Sequence, residues 1–217
     1  MDLNNPLYKN QGIHVNLVLL TVNNGEIDVL LIKRSNQPFF GKWALPGGAV
    51  YNNEKVEDAI KRELKEKTDI TNINPQIFGV FSDPNRAPDM RMLGIGYIAV
   101  IDKSIISFIK QTKKTDDANW FSLDDIPTDL AYDHNQMLRS ALEYLKTQVW
   151  QGKILKSLFP GDVTIPELYE VYTKILGTKL DRRNFRKKLL KSDILEDTER
   201  SAKYKGKKSS KIYKIKW

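Results

Sequence analysis

Residues 47–70, GGAVYNNEKVEDAIKRELKEKTDI, decide how this chain is read. Gly48 is followed after five residues by Glu54, after seven more by Arg62-Glu63-Leu64, and one residue later by Glu66. Val56, Ala59, Ile60 and Leu64 recur at helical spacing, which predicts an amphipathic helix entered from a loop that turns on two glycines. That stripe leaves Glu63 and Glu66, three residues apart, as neighbours on the opposite side of the helix. Carboxylates clustered on one helical face suit a hard cation such as Mg2+, which would carry phosphate groups. A solvated helix with incidental charges is the plain alternative. The fixed intervals directly behind Trp43-Ala44-Leu45-Pro46-Gly47-Gly48 weigh against it.

Outward from this stretch, His14–Val22 and Ile27–Ile32 are rich in β-branched and aliphatic residues, and Asn23-Asn24-Gly25 between them is a turn signal. The three segments predict a hairpin. Gln76–Phe81, Arg91–Ile101 and the short Trp120-Phe121 read as further strands, with Gly94 and Gly96 permitting close backbone approach. Lys110–Asp117 reads as a solvated charged loop. Asp133 with Gln136 forms a capping-box pattern before a helix striped by Leu138, Leu142, Leu145 and Val149. This mixture predicts an α/β/α sandwich over residues 1–150.

The 217 residues carry a net charge of +8, distributed unevenly. Residues 151–217 hold 18 Lys/Arg against 8 Asp/Glu, while residues 1–150 are close to neutral. Such asymmetry points to a nucleic-acid-binding unit joined to a neutral one, with simple solubility as the alternative. No cysteine is present, which excludes disulfides, thiolate catalysis and Cys-ligated zinc, and two histidines are too few for a histidine metal cluster. No apolar run reaches membrane-spanning length and the N-terminus lacks a signal-peptide core, so a cytoplasmic location is expected.

Gln151–Leu158 reads as a linker helix broken at Pro160-Gly161. Thr164 and Glu167 form a capping box for a helix that buries Leu168, Tyr172 and Ile175 and stops at Gly177. Asp181 caps a second helix, RRNFRKKLLKSD, and Ile194–Trp217 reads as a β-wing around KYKGKKSSK. Helix, turn, basic helix and wing predict a winged helix-turn-helix domain over residues 151–217. Phe185, Leu189 and Leu190 form the expected core side of its second helix. Arg182, Arg183, Asn184, Lys187 and Lys188 are the expected DNA-contacting residues, Arg183 and Asn184 facing the major groove. Lys205, Lys207, Lys208 and Lys211 of the wing suit phosphates, which position the protein without specifying sequence.

In the first domain Arg34, Arg62, Arg86 and Arg91 offer forked donors for phosphate or polyhydroxyl groups. Phe39, Phe40 and Trp43 provide faces for stacking on a base or covering a sugar. Arg62 reads equally well as an ion-pair partner of Glu54 or Glu66. His134 reads as structural rather than catalytic.

The 47–70 stretch resembles the Nudix box, the diphosphate-hydrolase signature Gly-x5-Glu-x7-Arg-Glu-apolar-x-Glu-Glu-x-Gly-apolar. It matches at Gly48, Glu54, Arg62, Glu63, Leu64, Glu66 and Ile70, and departs at Lys67 and Asp69, where glutamate and glycine belong. In working enzymes of the family the glutamate at the Lys67 position is a principal metal ligand. The resemblance therefore implies that the fold is kept, that no residue is catalytic, and that Mg2+ at Glu63 and Glu66 is weak or absent. Over nearly its whole length, through PFFGKWALPGG, FSDPNRAPD, LAYDH and DRRNFRKK, the chain resembles the Nudix-related transcriptional regulators that control NAD metabolism in bacteria, which include an arabinose-responsive relative. The resemblance implies a homodimer that binds a palindromic operator in double-stranded DNA and a small effector, ADP-ribose in the NAD branch. The expected effector contacts are Arg34, Phe40, Trp43, Glu54, Arg62, Glu66, Arg86 and Arg91. A pentose-responsive regulator and an active nucleoside-diphosphate hydrolase are the rival readings, and Lys67 argues against the second.

Overall fold

The computed structural model describes residues 5–7, 10–23, 25–102, 115–206 and 208–216. Strands β1 (Gly12–Asn23) and β2 (Glu26–Arg34) form the expected hairpin at the heart of the larger sheet. Val15, Leu17, Val18, Leu19 and Leu20 are all fully buried. Burial of successive residues means that both faces of β1 are covered, which explains an unbroken aliphatic run in place of alternation. Each such side chain contributes about 1.5–3 kcal/mol relative to exposure.

β3 (Trp43–Ala44) pairs with β2, and β4 (Gly47–Ala49) pairs antiparallel with β1 through Val15↔Gly48 and Asn16↔Gly47. The two glycines therefore lie in a strand, not in the turn expected from their sequence. Neither has a positive φ among the described residues. They are glycines because of close approach: a Cβ at Gly47 would lie 2.2 Å from the Val15 carbonyl oxygen, and one at Gly48 would lie 2.3 Å from the Glu63 carboxyl carbon.

Helix α1 (Val56–Thr68) buries Ala59, Ile60 and Leu64 as expected, but also Glu63. The assignment of Glu63 to the outer face with Glu66 is thus corrected: at three and four residues from Ile60 and Ala59, Glu63 belongs to the inner stripe. Asp69 ends the helix at φ 60°, ψ 11°, its N–H donating to the Lys65 carbonyl at 2.9 Å. An aspartate therefore holds the left-handed position at which the box pattern has glycine, and the helix end keeps its geometry.

β5 (Gln76–Phe81) and β6 (Met92–Ile101) pair antiparallel, in the sheet order β3-β2-β1-β6-β5. Gly94 makes room for the Arg86 guanidinium and Gly96 for the Phe78 ring. β7 (Thr115–Ser122) pairs with β2 and is longer than the Trp120-Phe121 segment expected. Residues 115–117 belong to this strand and not to a loop; residues 110–114 lie outside the described ones. Charge misled here because Asp117 and Asn119 take the exposed positions of a half-buried strand. Helix α2 (His134–Gln148) buries Met137, Leu138, Ala141 and Leu145, with Leu142 only half-buried. Both carboxylate oxygens of Asp133, just ahead of this helix, accept from Arg86.

Contacts divide the chain into one unit drawn from residues 1–19, 29–99 and 106–141 and another from residues 20–28, 100–105 and 142–217. The second contains α3 (Gly152–Leu158), β8 (Val163–Thr164), α4 (Ile165–Leu176), α5 (Arg182–Lys191), β9 (Leu195–Lys203) and β10 (Ser209–Ile215). β8, β10 and β9 form a three-stranded sheet in that order. The Thr164–Glu167 capping box is present in both directions, Gly177 ends α4 at φ 64°, and Asp181 accepts from the Asn184 N–H. Leu190 is 44% exposed, against the expectation that it faces the core. One residue beyond Leu189 is a rotation of about 100° on a helix, which carries it off the Phe185–Leu189 side.

Asp69→Gly is expected to stabilise the protein by about 1 kcal/mol by relieving the left-handed backbone, and Thr164→Ala to destabilise it by about 1 kcal/mol. Denaturant unfolding followed by circular dichroism reads both. A loss of stability in Asp69→Gly would show that the aspartate side chain itself holds the turn.

Candidate functional site

Where β1, β4 and the start of α2 meet, His14, Asn16, Arg34, Leu45, Gly47, Gly48, Lys67, Arg86, Tyr132 and His134 line a cavity of about 170 Å³. A neighbouring cleft of about 360 Å³ shares Arg86 and Tyr132 with it and adds Phe39, Asp83, Asn85, Pro88, Asp133 and Gln136. Together they fall within the range of about 300–1,000 Å³ usual for small-ligand sites.

Two of the expected effector residues reach this space. Arg86 is buried, held bidentate by Asp133 at 2.8 and 3.0 Å. Arg34 donates to the carbonyls of Pro38 at 2.9 Å and Asn36 at 3.3 Å and stands over the Tyr132 ring, 5.0 Å from its centroid. The others do not line the cavity. Phe40 is 61% exposed, Trp43 packs edge-on against Phe121, and Arg91 donates to the Ser82 carbonyl. Arg62 grips Glu54 through two donors at 2.6 and 2.9 Å, lies 3.6 Å from Glu66, and covers the Tyr51 ring. Its guanidinium holds the Glu54 carboxyl down to about 2. The ion-pair alternative for Arg62 is the one realised, and it takes Glu54 with it.

His14, Asn16, Tyr132 and His134 were not among the expected contacts. His134 is buried, its Nδ1 accepting from the Leu45 N–H at 3.0 Å and its Nε2 lying 3.1 Å from the Asn16 amide. Burial, followed by the charges of Arg86, Arg34 and Lys67, pushes its pKa down to about 3. A neutral ring that accepts at Nδ1 must donate at Nε2, so the Asn16 oxygen faces the ring. With both nitrogens engaged, His134 is no general base. The LAYDH segment carried the signal for Tyr132 and His134, but Asn16 sits in an aliphatic strand with nothing to mark it.

The carboxylates of the box are engaged by neighbouring cations. Glu63 is enclosed beneath Gly48, 2.5 Å from an Arg62 nitrogen and 3.1 Å from the Lys67 ammonium, which also donates to the Gly47 carbonyl. A divalent ion on Glu63 would meet the ammonium at contact distance, and their repulsion opposes binding. Among the described residues no cluster of three His, Asp or Glu is placed to hold a metal.

On the second unit, Arg182, Arg183, Asn184, Arg186, Lys187, Lys188 and Lys191 are exposed on α5. Among the described residues Arg183, Arg186 and Lys187 make no ion pair. Lys188 caps the Trp150 ring at 3.5 Å, and Arg182 stands over Tyr169. In the wing, Lys205 pairs with Glu170 at 2.7 Å and Lys211 with Asp197 at 2.5 Å, so both expected phosphate contacts already carry a carboxylate. Lys208 is exposed, and Lys207 lies outside the described residues. Arg186, which was not among the expected contacts, joins Arg182, Lys208 and Ser210 along a groove of about 360 Å³. Its signal was its place four residues after Arg182 on the same face.

Residues 11–141 match the Nudix domain, and residues 156–215 match the NrtR DNA-binding winged helix domain. The chain belongs to the Nudix family, in its NrtR-type branch. It is 30% identical over 213 residues to the ADPR-responsive transcriptional repressor NtrR of Acinetobacter baylyi, covering 96% of this chain and 83% of that one. The solved structure of Shewanella oneidensis NrtR complexed with a 27mer DNA is similar at TM-score 0.79 and 28% identity, covering 94% of this chain and 93% of that one. The Nudix domain of the same protein complexed with ADP ribose is similar at TM-score 0.58 and 30% identity, covering 65% of this chain and 93% of that one. No helix among the described residues is long and apolar enough to cross a membrane.

The His134 ring titrates near 6.5 when unfolded and near 3 in this Nudix-type fold, so between those values the unfolded chain binds more protons. Stability from this group is complete above about pH 6.5 and falls as the pH drops below it, by up to about 1.4 kcal/mol per pH unit. His14, also lowered chiefly by burial, acts in the same direction. His134→Gln is expected to weaken the fold at neutral pH and flatten its acid slope. Thermal unfolding of both proteins across this range checks it, and an unchanged slope would contradict the assignment.

Proposed function

We propose that this chain is a transcriptional repressor whose Nudix-type domain, residues 1–150, binds ADP-ribose and whose winged helix, residues 151–217, binds operator DNA in the bacterial cytoplasm. The observation that carries the reading is the pairing of two features on one chain. One is a cavity with Arg34, Lys67 and Arg86 on its wall; the other is an exposed helix bearing Arg183, Arg186 and Lys187. The relatives support it, since one is named for an ADP-ribose-responsive repressor and others were solved with DNA and with ADP ribose. Guanidinium donors on the wall favour a diphosphate over a neutral pentose, because only the former returns charge-assisted hydrogen bonds to them.

The chain is proposed to act as a homodimer, with α5 of each copy in successive major-groove half-sites. Arg183 and Asn184 read base edges, while Arg182, Arg186, Lys187 and Lys208 contact phosphates. Lys188, Lys205 and Lys211 contribute less, because each already has a protein partner.

Binding to the gene's own upstream region should weaken steeply with salt. Lys208→Ala is expected to reduce the slope of log K against log salt by about one for every sequence. Arg183→Ala or Asn184→Ala is expected to cost about 1–3 kcal/mol on the operator and relax base preference. Fluorescence anisotropy at several salt concentrations separates the two classes. Equal losses on operator and random DNA for Asn184→Ala would remove it from base reading.

ADP-ribose is expected to release the protein from its operator and to survive the encounter. Incubation with Mg2+ should yield AMP no faster than a protein-free control, and turnover at about 1 s⁻¹, the low end of ordinary enzymes, would restore the hydrolase reading.

A further inference from the structure

Among the described residues, Leu190 is the one large apolar side chain exposed on the second unit, at 44%. The residues by which α5 is buried are Phe185 and Leu189. Spacing fixes what surrounds Leu190 instead. Arg183 is seven residues earlier, which brings the two within about 20° of each other around the helix axis. Arg186 and Lys187, four and three residues earlier, flank it on either side. All three cations are exposed, and none meets a carboxylate among the described residues. An aliphatic side chain thus sits in the middle of a cationic face.

Whatever covers this face must supply anions around an apolar spot. A protein partner that buried Leu190 would strip water from three charged groups, at high cost unless a carboxylate met each. Duplex DNA meets both demands with one structure. Phosphates run along the edges of the major groove, and the thymine methyl is the apolar group among its base edges. Residues at i, i+3, i+4 and i+7 form the face that a helix lying in the groove turns toward the bases and their flanking phosphates. We infer that Leu190 is a base-reading residue whose side chain packs on the methyl group of a thymine in the operator. The inference rests on the reading of α5 as the helix that binds operator DNA. Arg183 and Leu190 are about 10.5 Å apart along the axis, the rise of about three base pairs. The thymine therefore lies about three base pairs from the base that Arg183 reads, once in each half-site.

Fluorescence anisotropy of the full chain on its gene's own upstream duplex tests this, with each thymine replaced in turn by deoxyuridine, which lacks only the methyl. At the thymine read by Leu190, the replacement should weaken the natural protein about fourfold, the equivalent of one methyl withdrawn from apolar contact. Leu190→Ala should bind the thymine and deoxyuridine duplexes equally, with its salt slope unchanged because no charge is lost. Leu190→Met, apolar and of similar volume, should keep the preference. If Leu190→Ala does not fold, as its circular dichroism spectrum would show, Leu190→Gln must show the same loss of preference. Salt-sensitive binding with no effect of deoxyuridine at any position overturns the inference and leaves the DNA reading intact. A thymine preference that survives in Leu190→Ala or Leu190→Gln also overturns it, since another residue then reads the methyl. Absence of binding to every duplex removes the DNA reading and this inference with it.

Discussion

A single enclosed carboxylate, Glu63, constrains the first unit. A negative charge at 5% exposure is tolerated only when it is paired and hydrogen-bonded, and Glu63 has a guanidinium on one side and an ammonium on the other. Each partner then imposes its own condition. Arg62 must be braced, which Glu54, Tyr51 and the Ala49 carbonyl accomplish. Lys67 must lie along α1 toward β4, which draws in the Gly47 carbonyl. The strand above must lack a side chain, so Gly48 is glycine. The spacing of the box is the one-dimensional trace of this packing around one charge.

Seen this way, loss of the box's second glutamate is a change in the sign of the local charge, not a disordering of the fold. The helix, its left-handed end at Asp69 and the short strand of glycines all persist. What changes is what the oxygens of Glu63 and Gly47 hold. The buried pair of Arg86 and Asp133 meets the same demand across the cavity, where Gly94 clears space for a guanidinium that no neutral side chain would need.

The architecture was legible in the sequence wherever local and global preferences agree. The aliphatic runs of β1 and β2, the stripe of α1, the Thr164–Glu167 box and the Asp181 cap each appear where the residues place them, and charge asymmetry marked the winged helix. The failures have physical causes. Gly47 and Gly48 looked like a turn because glycine marks both flexible backbone and crowded backbone, and only tertiary packing distinguishes them. Arg91, Trp43 and Phe40 were drawn to the ligand by their chemistry, but each is placed by a neighbour or by solvent that sequence does not show. Asn16 was hidden because one polar residue in an apolar strand leaves no periodicity. Lys205 and Lys211 looked free because Glu170 and Asp197 lie 35 and 14 residues away in the chain.

The uncharged state of His134 bears on how the cavity meets a change of acidity. Guanidinium groups stay positive at any pH a cell survives, and an imidazole held near 3 stays neutral over the same span. The charges that His134, Arg34 and Arg86 present to the cavity thus stay the same as the surroundings turn mildly acidic. Acidity therefore reaches this part of the molecule first through the stability of the fold, not through the charge of the cavity.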